Sequence, residues 1–160
     1  AMGKLDFVMH DVDIVEIQSM DLREIVEDKL KKAYEQIKGP VIVDDVSAGI
    51  ESLKGLPGPF IKFFEKTLGG DALLQLAKKE GEPVTIRCVA AYYDGKKMLF
   101  GEGVIKGVVV APRGANGFGF DAIILADGQT RTFGEMTSEE KTSVSHRGKA
   151  FRALLKQIDV

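Results

Sequence analysis

The chain has one cysteine, no tryptophan and two histidines among its 160 residues. A lone Cys88 cannot staple a fold, so a disulfide framework is excluded and a reducing, cytoplasmic setting is expected. No apolar run approaches the roughly 18 residues that a membrane-spanning helix needs, and no signal-peptide pattern is visible, so no membrane partner is expected. Neither sign of charge dominates. Twenty-two Lys and Arg stand against 24 Asp and Glu, and a net charge of −2 argues against a nucleic-acid surface working by bulk electrostatics. A G-x-x-x-x-G-K-[ST] loop is absent, which argues against a Walker-type NTPase. Repeats, low-complexity tracts and linkers are absent too, so residues 1–160 are expected to form a single domain.

What is present is a succession of short periodic segments. Residues 5–18 alternate and predict one strand or two short ones, with Leu5, Phe7 and Met9 on one phase and Val12, Ile14 and Glu16 on the other. Leu22, Ile25, Val26, Leu30, Ala33 and Ile37 recur at helical spacing, after a possible cap at Ser19 or Asp21 and before Gly39-Pro40. Val41-Ile42-Val43 is wholly apolar and suits a buried, parallel-type central strand ending in Asp44-Asp45. Side chains alternate along a strand, so one of these carboxylates is expected to face a ligand crevice at the strand end, where carboxylates suit Mg²⁺. The competing reading is a polar strand end that caps the next turn.

The loop Gly55–Phe60 leads into helices near Ile61 and over Asp71–Lys79, and Lys62, taken alone, is an ordinary solvated lysine in a first turn. Val84–Tyr93 and Lys97–Val110 flank Asp94-Gly95, a hairpin signal. A Gly-rich loop, Ala111–Asp121, then enters a strand over Ala122–Leu125. Within that loop Phe118 or Phe120 offers a stacking face for a base, and Asp121 an acceptor.

Near the end, Thr137 and Glu140 form a T-x-x-E capping box, and Ser145 is placed to cap a last helix carrying Phe151, Leu154, Leu155 and Ile158 on one face. The N–H groups of that helix start, with the charge and donors of His146, Arg147 and Lys149, suit an anionic planar ligand such as a nucleotide. An ordinary capped helix with a basic first turn is the plainer alternative. Acidic residues for a metal, lysines for phosphates, a Gly/Phe loop for a base and a basic helix start together make a kit for a nucleoside polyphosphate with Mg²⁺.

In sequence these segments resemble the inosine triphosphate pyrophosphatase family, which hydrolyses non-standard purine nucleoside triphosphates such as ITP, XTP and dITP to the monophosphate and pyrophosphate. The resemblance rests on Glu16–Gln18, Gly39–Asp45, Leu53–Phe64, Val110–Gly114, Gly117–Asp121, Phe133–Lys141 and Ser145–Ala150, in family order. It implies an α/β fold, an elongated mixed sheet flanked by helices with a central cleft, and a homodimer. It also implies roles. Glu16 and Asp45 match the acidic positions of the Mg²⁺ site, and Asp45 matches the residue that activates water. Lys29, Lys62 and Lys141 match lysines beside the substrate. Phe118, Gly119, Phe120 and Asp121 match the base-holding segment, and His146 with Arg147 matches the pair that reads the purine 6-keto edge.

Two departures stand out. The family's N-terminal Ser/Thr-Gly-Asn-x-x-Lys segment, which grips the triphosphate, is not matched. The first strand, that loop and the first helix are therefore expected to be missing, which would expose a sheet edge and permit a rearranged dimer. Val46 also stands where the family has Thr or Ser after the acidic pair. Three functions stay open on this basis: Mg²⁺-dependent hydrolysis of the triphosphate, a catalytically weak or inactive purine-nucleotide-binding relative, and an interaction protein that keeps the fold without a ligand.

Overall fold

The computed structural model describes residues 7–158, so Leu5 of the expected first strand lies outside the described residues. The helical periodicity after Met20 becomes α1, Leu22–Ile37, with Leu22, Ile25, Val26, Leu30 and Ala33 buried. Asp21 caps it by accepting from the amides of Arg23 and Glu24, and Lys38 closes it in the left-handed conformation. The chain continues through β1 (Val41–Ile50), a 3-10 turn at Glu51–Leu53, β2 (Pro57–Gly58), α2 (Ile61–Leu68) and α3 (Ala72–Ala77). A long hairpin follows, β3 (Pro83–Tyr93) and β4 (Met98–Val109), its turn held by Asp94 Oδ1 accepting from the amides of Lys96 and Lys97. A 3-10 turn at Asp121–Ile123 precedes β5 (Ile124–Ala126), and another at Phe133–Glu135 precedes α4 (Ser138–Val144) and α5 (His146–Ile158).

The sheet runs β2-β1-β3-β4-β5. The α/β class stands, and every pairing among the described residues is antiparallel. The apolar run Val41–Val43 therefore reports cover on both faces rather than a parallel direction. On one face Leu22, Val26 and Leu30 of α1 pack on Val41, Val43, Val89 and Ala91. On the other, Ala150 and Leu154 of α5 pack on Ile42, Cys88 and Ala90. Farther along that second face, Ile50, Ile86, Ile105 and Val109 join Ile61, Leu73, Phe120, Ile123, Phe133 and Met136 in a larger cluster.

Two expectations are corrected. Asp44-Asp45 does not end a strand, because β3 pairs β1 through to Ile50↔Val84 and leaves both carboxylates in mid-strand. Residues 7–18 form no strand, because no described strand lies beside them to complete a ladder. That segment instead lies against α1, where the carbonyls of Asp13 and Val15 accept from Gln36 Nε2 and Lys32 Nζ. Its alternation survives in burial: Val12, Ile14 and Glu16 are half-buried, while Phe7, Val8 and Met9 are exposed.

Candidate active site

Alternation along β1 sends its two adjacent carboxylates to opposite faces. Asp45 points toward α1. Its Oδ1 accepts from the Val46 amide at 2.9 Å, and its Oδ2 is buried with no partner. Burial pushes the Asp45 carboxyl above its ordinary value and outweighs the nearby positive charge of Lys29, while the charge of Glu16 adds to the rise. Glu16 pairs with Lys62 from the first turn of α2 and, at 3.4 Å, with Lys29 from α1. Burial alone would raise Glu16, but the Lys62 hydrogen bond and the charges of both lysines hold it below its usual value. Lys29 Nζ also donates to the Asp44 carbonyl at 3.1 Å.

Four residues read separately in the sequence thus meet on one side of β1, two carboxylates and two ammonium groups. A buried, unpartnered carboxylate oxygen beside a second carboxylate is an oxygen donor set of the kind Mg²⁺ prefers. No group of three or more His, Cys, Asp or Glu among the described residues forms a metal cage. A cation would complete its shell with water and phosphate oxygens, as Mg²⁺ commonly does.

Asp44 points the other way, toward α5. Its carboxylate takes the Arg147 guanidinium in a two-point pair, Nε to Oδ2 at 3.0 Å and Nη2 to Oδ1 at 3.0 Å. The Cys88 thiol lies 3.7 Å from Asp44 Oδ2, and burial, with the Asp44 charge adding, pushes that thiol up, so it stays protonated. Arg147 lines a cavity of about 370 Å³ together with Phe118, Phe133, Met136, Lys141 and Phe151. That volume lies at the small end of the range for ligand sites. Lys141 Nζ meets Asp121 Oδ2 at 2.5 Å and sits 4.7 Å from the Phe118 ring centroid. Asp121 is buried and also accepts from the Phe118 amide at 3.0 Å, which folds the Gly-rich loop back on itself.

Of the two phenylalanines offered for stacking, Phe118 is 70% exposed and presents its ring, whereas Phe120 is a core residue. Gly119 turns the loop between them against Glu65, with a left-handed φ of 58°. The caps are as read: Thr137 and Glu140 close a reciprocal capping box, and Ser145 Oγ accepts from the Gly148 amide at 3.1 Å.

His146 departs from its expected part as a charged donor at the helix start. It is buried, with its ring centroid 6.1 Å from those of both Phe120 and Phe133. Burial, helped by Lys141 and Arg147, lowers its pKa to about 4, so it is neutral near pH 7, and its Nδ1 has no partner. A depressed histidine pKa contributes stability that is present above the ordinary value of 6.5 and is lost as pH falls through about 4. The thermal midpoint is therefore expected to drop between those two pH values. His146→Gln should flatten part of that drop, and an identical slope in the variant would contradict the assignment.

The pair between Asp44 and Arg147, 103 residues apart, is what sequence reasoning missed. The nearest signal was the alternation rule itself, which sends the second carboxylate of Asp44-Asp45 to the opposite face.

Comparison with known proteins follows the same segments. The sequence model of the Ham1 family matches residues 2–157. The inosine triphosphate pyrophosphatase of Schizosaccharomyces pombe is 40% identical over 141 residues, covering 86% of this chain and 74% of the yeast protein. The dITP/XTP pyrophosphatase of Thermococcus kodakarensis is 39% identical over 142 residues, covering 88% of this chain and 77% of that protein. Among solved structures, a HAM1 protein from Coxiella burnetii superposes with a TM-score of 0.77 at 28% identity, covering 92% of this chain and 81% of that one. The Staphylococcus aureus Ham1 protein shares the fold with a TM-score of 0.80 at 24% identity, over 93% of this chain and 81% of that one.

Proposed function

Because this chain belongs to the Ham1 family, we propose that it hydrolyses non-standard purine nucleoside triphosphates, ITP, XTP and dITP among them, to the monophosphate and pyrophosphate. One observation carries the reading. Glu16, Lys29, Asp45 and Lys62 gather on one side of β1, while Phe118, Lys141 and Arg147 line a base-sized cavity on the other.

In this reading the purine lies on the exposed face of Phe118, with its 6-keto oxygen toward the donors of Arg147 and the α5 start. A 6-keto oxygen accepts those hydrogen bonds, whereas the 6-amino group of adenine would set N–H against N–H. Lys29 and Lys62 neutralise phosphate oxygens, while Lys141, paired with Asp121 and set over the Phe118 ring, stays beside the base. Asp45 and Glu16 hold Mg²⁺ together with the triphosphate, and the ion supplies further charge neutralisation on the phosphate oxygens when bound. Asp45 takes the proton of a water molecule that attacks the α-phosphorus. The new P–O bond forms at the α-phosphorus and the bond to the bridging oxygen breaks. Pyrophosphate leaves with the electron pair.

A homodimer in a reducing cytoplasm belongs to the same reading. The outer edge of β1 before Ala48 has no strand partner among the described residues, and an open edge favours association. Light scattering is expected to give twice the chain mass. The chemistry has its own check. Product analysis with ITP should find pyrophosphate and IMP, lost on chelation of Mg²⁺ with EDTA. Orthophosphate and IDP as products would place the attack at the wrong phosphorus and sink the mechanism.

A further inference from the structure

Arg147 faces the base in that reading, and its pair with Asp44, which the hydrolysis itself does not use, joins the middle of β1 to the base cavity. The guanidinium is about half exposed, and the Asp44 side chain that holds it is far less so. Nη2 donates to one carboxylate oxygen, and Nε lies 3.0 Å from the other. Both hydrogens of Nη1 and the second of Nη2 have no other partner among the described residues. A two-point pair fixes the plane of a guanidinium as well as its place, which a single ionic contact does not. Neighbouring groups hold Asp44 in turn. Cys88 Sγ touches its Oδ2, and Lys29 Nζ donates to its carbonyl.

We infer that Asp44 is a positioning residue for purine selection: its carboxylate holds the Arg147 guanidinium so that the remaining N–H donors face a keto oxygen in the cavity. The inference rests on the reading of that cavity as the base site. It assigns Asp44 and Asp45, neighbours in sequence, to opposite ends of the bound nucleotide. Asp44 acts through Arg147 on the base, and Asp45 acts on the phosphates.

The test compares IMP with AMP, which needs neither turnover nor the triphosphate grip. Dissociation constants are measured by calorimetry for the unaltered protein and for Asp44→Asn, Asp44→Glu, Arg147→Lys and Arg147→Ala. Asp44→Asn is isosteric and should stay folded. It is expected to weaken IMP about tenfold and AMP little, so that the preference falls about tenfold. Asp44→Glu should recover most of that preference. Arg147→Lys, at an exposed position, keeps the charge without the fixed plane and should also lose it. Steady-state kinetics with ITP should show the Asp44→Asn change in KM, with kcat nearly constant. A merely structural role would instead lower the thermal midpoint and leave the IMP/AMP ratio where it was. A folded Asp44→Asn that keeps the ratio overturns the inference, as does an Arg147→Lys that keeps it. If Arg147→Ala keeps the ratio, the base-site reading falls and the inference with it. If Arg147→Ala loses the ratio while Asp44→Asn keeps it, the inference alone falls.

Discussion

Asp45→Asn is expected to lower kcat for ITP by roughly 10²- to 10⁴-fold and to melt at the same temperature as the unaltered protein or higher. The two halves of this expectation come from one side chain. Its Oδ1 accepts from the Val46 amide, a contact that an asparagine oxygen keeps. Its Oδ2 is buried without a partner, and burial raises the carboxyl pKa. A raised pKa means that the stability this group contributes is present below the ordinary value of 3.8 and is lost as pH rises through the folded value. Near pH 7.5 the ionised side chain is therefore a net cost to the fold, which the neutral amide removes. The melting difference between variant and parent should grow between pH 4 and pH 8. A variant that turns over ITP normally, or melts several degrees lower at pH 7.5, would contradict this account of Asp45.

Gly103→Val is expected to destabilise the fold by about 3 kcal/mol or more, because overpacking a tight contact commonly costs 1–3 kcal/mol and here the obstacle is backbone. A Cβ at Gly103 would lie 2.7 Å from the Ala150 amide nitrogen and 2.7 Å from Lys149 Cβ. Gly101, two residues earlier on the same face, meets α5 in the same way, at 2.5 Å from the Leu154 amide nitrogen. These glycines let α5 lie directly on β4, and that seat fixes where the helix starts. Pushing α5 off the strand would move His146 and Arg147 with it, so binding at the base cavity should fall along with stability. Thermal melts and IMP titration measure both. The neighbouring Val104, on the opposite and partly open face, is the control: Val104→Thr should change stability by no more than about 0.5 kcal/mol and leave IMP binding alone. If Gly103→Val melts like the parent, the packing of α5 on β4 has been misjudged.

The sequence was most informative where structure is local. The α1 stripe, the Thr137–Glu140 capping box and the Ser145 cap depend on residues three or four apart, and each stands as read. It misled where the answer depended on a distant partner. The apolar run after Pro40 stopped at Val43, but β1 continues to Ile50 because β3 pairs with it throughout. Residues 7–18 alternate like a strand and have no ladder to join. His146 has donor chemistry on paper, and burial against Phe120 and Phe133, which come from other segments, removes its charge. Lys62, ordinary by itself, becomes legible only beside Glu16. Family resemblance pointed to the cluster of Glu16, Lys29, Asp45 and Lys62 where spacing gave no hint of it, since four segments supply it. Neither resemblance nor spacing indicated that Asp44 would grip Arg147.

One measurement bears most directly on the function: kcat/KM for pyrophosphate release from ITP, XTP, dITP and ATP, with Mg²⁺ and with Asp45→Asn as background. The account predicts that the keto purines exceed ATP by about 100-fold or more, since a site built to donate hydrogen bonds rejects a base that cannot accept them. Release from ITP no greater than the Asp45→Asn background, or ATP cleaved as readily as ITP, would contradict it.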